Sequence, residues 1–266
     1  MDYVDFQAKL NAEIFAKDIC YQLLLDVLQH PERYTGLFRV SNAKTKLIQN
    51  LTQSYEIKFG NFLEKVLGDY ILEMGYEPLD KQIGTDEEGN PLSADQVFQD
   101  TQAIYLIEQK IRDDHDSTKK RGQYANFCKK IQVLQQRFRH KTLKSCMWFS
   151  DDALKKNQKY YQEQIAHHSN EQTFICYGRE LFSCLFCRED IYEEFIAHLK
   201  RHKKERCQDI LSIPDFDTSD EAREALLKLQ ANKPKLIQKL LSNQEPFVEL
   251  REELFPTGKN LKGLSC

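Results

Sequence analysis

The sequence contains no apolar run that approaches the roughly 18 residues of a membrane-spanning helix. No apolar segment follows its acidic beginning, Met1–Asp5, so we expect no secretory signal peptide and a cytoplasmic protein. Without a secretion signal, the eight cysteines are expected to be reduced thiols and not a disulfide framework. Internal repeats and low-complexity tracts are also absent from the sequence. These absences indicate an ordinary globular chain.

The chain also lacks a strong excess of either charge. Its 38 basic and 41 acidic residues give a net charge of −3. This balance excludes a surface that is basic throughout, so any nucleic-acid-binding face must be local. The 266 residues, 41% hydrophobic and 30% charged, are sufficient for one substantial core.

Strands alternate with helices through the middle of the chain, which predicts an α/β fold. We expect a mixed sheet of four or five strands, helices on both of its faces, and helical extensions at both ends. The predicted parts are an N-terminal extension over 1–55, a core over 56–207 and a C-terminal extension over 208–266, together forming one compact unit. The predicted elements are helices over 6–30, 43–53, 60–74, 122–136 and 190–203, a turn-rich loop over 83–93, and strands that include 143–149 and 173–177.

Two short apolar segments around a polar turn, Gln99–Gln102, predict a β-hairpin. Asp95 begins its first strand, and Glu108 lies near the end of its second strand. Side chains alternate between the faces of a strand, so Glu108 and Lys110 share one face. The hairpin should therefore bring Asp95, Glu108 and Lys110 to one edge of the sheet. Asp100 is a rival for the role of Asp95, but it falls within the turn.

Two neighbouring carboxylates repel one another unless a cation lies between them. A hard divalent cation with oxygen ligands relieves this repulsion, and Mg²⁺ in particular keeps water molecules and binds phosphate oxygens. The pattern of Asp95, Glu108 and Lys110 therefore predicts a Mg²⁺ site with a lysine beside it, a combination suited to hydrolysing phosphodiesters.

The residues around this site resemble the active-site segment of type II restriction endonucleases of the PD-(D/E)XK superfamily. In Glu108–Gln123, as in that family, a strand with Glu-x-Lys is followed by a loop and a helix that starts with Arg-Gly-Gln. Lys58–Glu64 is similar to the first core helix, which carries a glutamate, and Lys144–Ser150 is similar to the next core strand. The resemblance covers about residues 55–190. It departs from the family at Ala94-Asp95, where the family has Pro-Asp.

This resemblance implies a site-specific double-stranded DNA endonuclease from a prokaryotic restriction system, with the core over 56–207 as its nuclease domain. It implies Mg²⁺ as the cofactor, with Mn²⁺ as a substitute, and no zinc. The expected metal ligands are Asp95, Glu108 and the backbone carbonyl of Gln109. The other expected site residues are Lys110, which orients the attacking water, Gln123, which binds that water or a phosphate oxygen, and Glu64, an outer ligand.

The expected partners are double-stranded DNA, a second copy of the chain in a homodimer, and a DNA methyltransferase that acts in the same system without physical contact. Basic clusters follow the Glu-x-Lys strand and are expected to contact the DNA backbone. Their residues are Lys119, Lys120, Arg121, Lys129, Lys130, Arg137 and Arg139.

Two alternatives remain open. The first is another nuclease of the same superfamily, associated with repair or with a mobile element. The second is a zinc-dependent DNA-binding regulator without catalysis, because Cys184, Cys187, His198 and His202 approach the spacing of a zinc finger.

Overall fold

The computed structural model of the chain describes residues 1–15, 18–113, 116–166, 172–211 and 214–264. Within these ranges the helices are α1 (Tyr3–Ile14), α2 (Ile19–Gln29), α3 (Ala43–Glu73), α4 (Ser117–Arg137), α5 (Gln158–Ala166), α6 (Glu189–Leu211), α7 (Asp220–Asn232), α8 (Pro234–Leu240) and α9 (Glu245–Leu254). The strands are β1 (Glu77–Pro78), β2 (Gln82–Thr85), β3 (Pro91–Ser93), β4 (Gln96–Gln99), β5 (Ala103–Lys110), β6 (Thr142–Phe149) and β7 (Thr173–Tyr177). Among the described residues, no helix has the length and apolar character needed to cross a membrane.

Five strands of the described chain form the main sheet, in the order β1-β4-β5-β6-β7. β4 runs antiparallel to β1 and β5, whereas β6 runs parallel to β5 and β7. β5 is buried along nearly its whole length, and its first five residues, Ala103–Ile107, form an apolar run. This mixed sheet confirms the predicted α/β class, and β7 has the predicted bounds.

Helices cover both faces of this sheet. On one face, Val66 and Tyr70 of α3 line a small apolar space with Trp148 of β6 and Phe195 of α6. On the other face, α4 and α5 share one apolar cluster with the sheet. That cluster includes Phe127, Ile131, Leu134, Tyr161, Ile104, Leu106, Met147 and Phe149.

The chain divides into two compact units, and the first contains the sheet. This unit comprises Met1–Gln7 and Gly60–Lys203. The predicted division into three segments stays a prediction.

The second unit comprises Ala8–Phe59 and Lys204–Cys266. Its regular elements are helical in the described residues. Leu24 of α2 and Leu226 of α7 are fully buried in the same apolar core, so helices from both ends of the chain fold together.

Two helix predictions were wrong at their boundaries. The predicted helices over 43–53 and 60–74 form one helix, α3, of 31 residues. No proline interrupts the segment between them, and an isolated glycine such as Gly60 costs a helix only about 1 kcal/mol relative to alanine. The predicted helix over 6–30 is instead α1 and α2, because Asp18 adopts a left-handed conformation with φ 71° before α2.

Two other segments also differ from prediction. The predicted loop over 83–93 contains the antiparallel strands β2 and β3, which the sequence conceals because most of their side chains are exposed. α4 begins at Ser117, where the carboxylate of Asp116 accepts hydrogen bonds from the backbone N–H groups of Thr118 and Lys119. Gln123 therefore lies in the second turn of this helix and not at its start.

Candidate active site

The hairpin of β4 and β5 sets the arrangement of the acidic side chains. Gln96 pairs with Ile107 in the antiparallel register, so the next position outward places Asp95 beside Glu108. The alternation of side chains then puts Lys110 on the same face as Glu108. The predicted hairpin is therefore present, with its carboxylates at the end of β5 and away from the turn.

Asp95 is held in place by the backbone of the neighbouring strand. Its Oδ2 atom accepts a hydrogen bond of 2.8 Å from the backbone N–H of Gln109. The side-chain amide of Gln109 donates a 2.9 Å hydrogen bond to the carbonyl of Gly60 on α3. The backbone between Glu108 and Lys110 is thus fixed from the strand side and from the helix side.

Glu108 is the buried acid of the site, with 5% of its surface exposed. Its Oε1 atom lies 2.5 Å from Nζ of Lys130, and its Oε2 atom lies 3.6 Å from Nζ of Lys110. Burial and the nearby charge of Asp95 raise the pKa of the Glu108 carboxyl, while the charges of Lys130 and Lys110 oppose that rise. The ionised carboxylate pair is therefore a costly arrangement that a cation would relieve.

The position of Lys130 follows from the apolar stripe of α4. Phe127, Ile131 and Leu134 are buried against the sheet, and Lys130 lies within the same stripe with 7% of its surface exposed. Its spacing from Phe127 and Leu134, at i+3 and i+4, is the signal that sequence reasoning missed. The charge pattern predicts Lys130 among the DNA-contacting lysines, whereas the structure buries its ammonium against Glu108.

The other basic residues have more open surroundings. Lys129 is partly exposed and forms an ion pair of 2.9 Å with Asp86. The Lys120 ammonium donates to the side-chain oxygen of Asn157 at 3.2 Å and lies 4.7 Å from the centre of the Tyr160 ring. The cluster members that are exposed are Lys119, Arg121, Arg137 and Arg139.

Gln123 and Glu64 contact other groups. The side-chain oxygen of Gln123 accepts a hydrogen bond of 3.2 Å from the hydroxyl of Tyr161. The carboxylate of Glu64 forms an ion pair with Lys81. Neither contact involves the carboxylate pair, so the roles expected for these two residues stay predictions.

A second buried acid, Asp113, is not among the site residues predicted from the sequence. It follows Lys110 by three residues and is only 3% exposed. Its Oδ2 atom accepts a 2.7 Å hydrogen bond from the backbone N–H of Asn157, and its Oδ1 atom accepts one of 2.9 Å from the Asn157 side chain. Burial, and then the charge of Asp113, raise the pKa of the Tyr161 hydroxyl. These bonds fix the chain where it leaves β5.

The donors near β5 suit a hard divalent cation better than zinc. Asp95 and Glu108 offer carboxylate oxygens, which Mg²⁺ prefers. The described part of the chain contains no group of three or more His, Cys, Asp or Glu side chains arranged to hold a metal ion. The structure thus does not gather Cys184, Cys187, His198 and His202 into a zinc site. A third protein ligand for Mg²⁺ beside the two carboxylates would be a backbone oxygen, for which the Gln109 carbonyl is the candidate.

The mixed sheet, its flanking helices and the carboxylates at the strand end define a restriction-endonuclease-like fold. Residues 76–203 match the family model described as "Type II restriction endonuclease, HinfI". The matched residues include Asp95, Glu108, Lys110 and Lys130, and the match supports a type II restriction endonuclease. No curated protein and no solved structure gives a significant match to the chain.

Proposed function

We propose that this chain is a Mg²⁺-dependent endonuclease that cuts double-stranded DNA at a specific short sequence. One observation carries the proposal: Asp95 and Glu108 lie beside one another at the end of a buried hairpin, with Lys110 on the same face. The restriction endonuclease family supports the enzyme class.

Asp95, Glu108 and the backbone carbonyl of Gln109 would hold the Mg²⁺ ion. Bound there, Mg²⁺ supplies Lewis-acid polarisation of the scissile phosphate and lowers the pKa of a bound water. The carboxylates suit this role because Glu108 is buried and faces a second negative charge. The N–H of Gln109 orients Asp95, so one of its two oxygens is already engaged with the protein.

Lys110 acts on the developing charge at phosphorus. Its ammonium lies on the face of the two carboxylates, 3.6 Å from Glu108 Oε2. From there it stabilises negative charge on the phosphate and orients the attacking water. As a cation it is a poor proton acceptor, so its role is electrostatic. Gln123 would bind the water or a phosphate oxygen, and Glu64 would serve as an outer ligand.

The DNA-contacting surface is proposed to lie on the elements that follow β5. The exposed side chains of Lys119, Arg121, Arg137 and Arg139, together with Lys120 and Lys129, would contact phosphates. A symmetric target sequence is matched by a symmetric protein, so a homodimer is the proposed active form. A methyltransferase that modifies the same sequence would protect the host DNA.

A plasmid digest tests this function. The wild-type protein should convert plasmid DNA into a few discrete fragments when Mg²⁺ is present, and EDTA should prevent this. Glu108→Ala should remove the activity, while Glu163→Ala should cut normally because Glu163 is an exposed residue of α5. Random degradation would favour a repair or mobile-element nuclease, and cutting by Glu108→Ala at the wild-type rate would refute the site.

A further inference from the structure

Lys130 is a buried cation whose ammonium contacts a candidate metal ligand. Its side chain is 8% exposed, and its Nζ atom lies 2.5 Å from Glu108 Oε1. A buried charge is costly unless it is paired, so this contact fixes both partners. Lys130 is held there by the packing of α4, since Phe127 and Ile131 of the same helix lie in the apolar cluster beneath it.

The side chains of Asp95, Glu108, Lys110 and Lys130 are formally neutral as a group. Asp95 and Glu108 contribute two negative charges, while Lys110 and Lys130 contribute two positive charges. A divalent cation entering the site would therefore meet no net negative charge from these residues. It would also meet the Lys130 ammonium, which is buried and lies 2.5 Å from Glu108 Oε1.

We propose that Lys130 is a positioning residue that acts on Glu108 as a fixed counter-cation, so that the divalent metal binds weakly until a DNA phosphate adds negative charge. This inference rests on the proposed function, because it concerns the same metal site. Lys130 holds Glu108 Oε1, which leaves Oε2, the oxygen on the Lys110 side, as the atom for a metal. The metal-loaded state would then form mainly on DNA.

The direction in which metal affinity changes when Lys130 is replaced distinguishes this role from simple structural support. A residue that only orients a metal ligand weakens metal binding by about 10–100-fold when it is removed. Removing a unit positive charge a few ångströms from a divalent cation should instead strengthen binding to the free protein. At about 5 Å the repulsion between a unit charge and a divalent cation corresponds to about tenfold in affinity even with the dielectric constant of bulk water, near 80.

The experiment compares Mn²⁺ binding to the free protein, by calorimetry without DNA, across matched variants. Lys130→Met removes the charge and nearly keeps the length of the side chain, and we expect about tenfold tighter Mn²⁺ binding. Lys130→Arg keeps the charge and should bind Mn²⁺ as the wild type does. Lys159→Met is the control, because Lys159 is 92% exposed and pairs with Glu163 on α5.

A second readout is the Mg²⁺ concentration that gives half-maximal plasmid cleavage, which should fall in Lys130→Met and not in Lys130→Arg. Thermal unfolding checks that each variant is folded, and if Lys130→Met is not, Lys130→Gln replaces it in the same comparison. Mn²⁺ binding that is unchanged or weaker in the charge-removing variant would overturn the inference. A wild-type protein that cuts no DNA would refute the proposed function, while the Mn²⁺ comparison would still decide the role of Lys130.

Discussion

Asp95 and Asp100 lie at opposite ends of β4, and replacing each with alanine should separate metal binding from folding. Asp95 lies beside Glu108, whereas Asp100 lies in the turn between β4 and β5. We expect Asp95→Ala to abolish cleavage with little loss of stability. Asp100→Ala should keep the rate of cleavage and lose stability.

The hydrogen bonds of the turn give the size of the stability loss expected for Asp100→Ala. The carboxylate of Asp100 accepts bonds of 2.7 Å from the N–H of Gln102, the N–H of Ala103 and the hydroxyl of Tyr105. At about 1 kcal/mol net for each bond, discounted because the side chain is partly exposed, their loss should lower the free energy of unfolding by about 2 kcal/mol. That corresponds to a fall in Tm of roughly 4–8 °C for a chain of this size.

Asp95→Ala should change stability by less than about 1 kcal/mol. The variant loses the single bond from the N–H of Gln109, at 2.8 Å. It also removes a negative charge that faces the buried Glu108 carboxyl and raises its pKa. These two changes oppose one another, so the loss of cleavage should not be accompanied by unfolding.

The effect of Asp100 on stability should depend on pH. Burial raises the pKa of its carboxyl, but the bonds from Tyr105, Ala103 and Gln102 outweigh burial, and the pKa is lowered overall. A carboxyl whose pKa is lowered by folding stabilises the protein above its unfolded pKa, about 3.9. That contribution is lost as the pH falls through the folded pKa. The difference in Tm between wild type and Asp100→Ala should therefore be present at pH 7 and narrow below about pH 4.

Calorimetric melting at pH 7 and below about pH 4 measures the changes in Tm. A plasmid digest at neutral pH measures cleavage. Asp100→Asn is the matched variant, because its amide oxygen can still accept the backbone bonds of the turn. Its Tm should lie between those of wild type and Asp100→Ala. If Asp95→Ala cuts normally while Asp100→Ala does not, the assignment of the metal ligand to Asp95 is refuted.

Three further predictions concern the complete site. Cleavage should require Mg²⁺ or Mn²⁺ and fail with Ca²⁺, whose looser coordination misplaces the water; full activity in excess EDTA would contradict the mechanism. DNA binding should weaken by roughly an order of magnitude or more between about 50 and 200 mM salt if several phosphates are contacted, and a flat response in filter binding would mean that the basic clusters touch no DNA. Light scattering with target DNA should give a homodimer, and a monomer that still makes double-strand breaks would instead indicate sequential nicking.

The sequence by itself determined the hairpin and the face that carries its acids. β5 begins with five apolar residues, and a short turn joins it to β4, so the pairing of β4 with β5 is local. The alternation of side chains along one strand then places Glu108 and Lys110 together. These features depend on contacts between residues within about 15 positions of one another. The pattern of apolar and polar residues along the sequence predicts such local contacts.

The tertiary structure decided which distant side chains meet these acids. Lys130 reaches Glu108 across 22 residues of sequence, and Asn157 reaches Asp113 across 44. In the sequence, Lys130 stands beside Lys129 and resembles part of an exposed basic cluster. The two lysines lie on different faces of α4, because neighbouring residues of a helix are about 100° apart around its axis. The packing of Phe127 and Leu134 against the sheet decides which of these faces is buried. A contact of this kind depends on how a helix packs, which a pattern of charges along the chain does not encode.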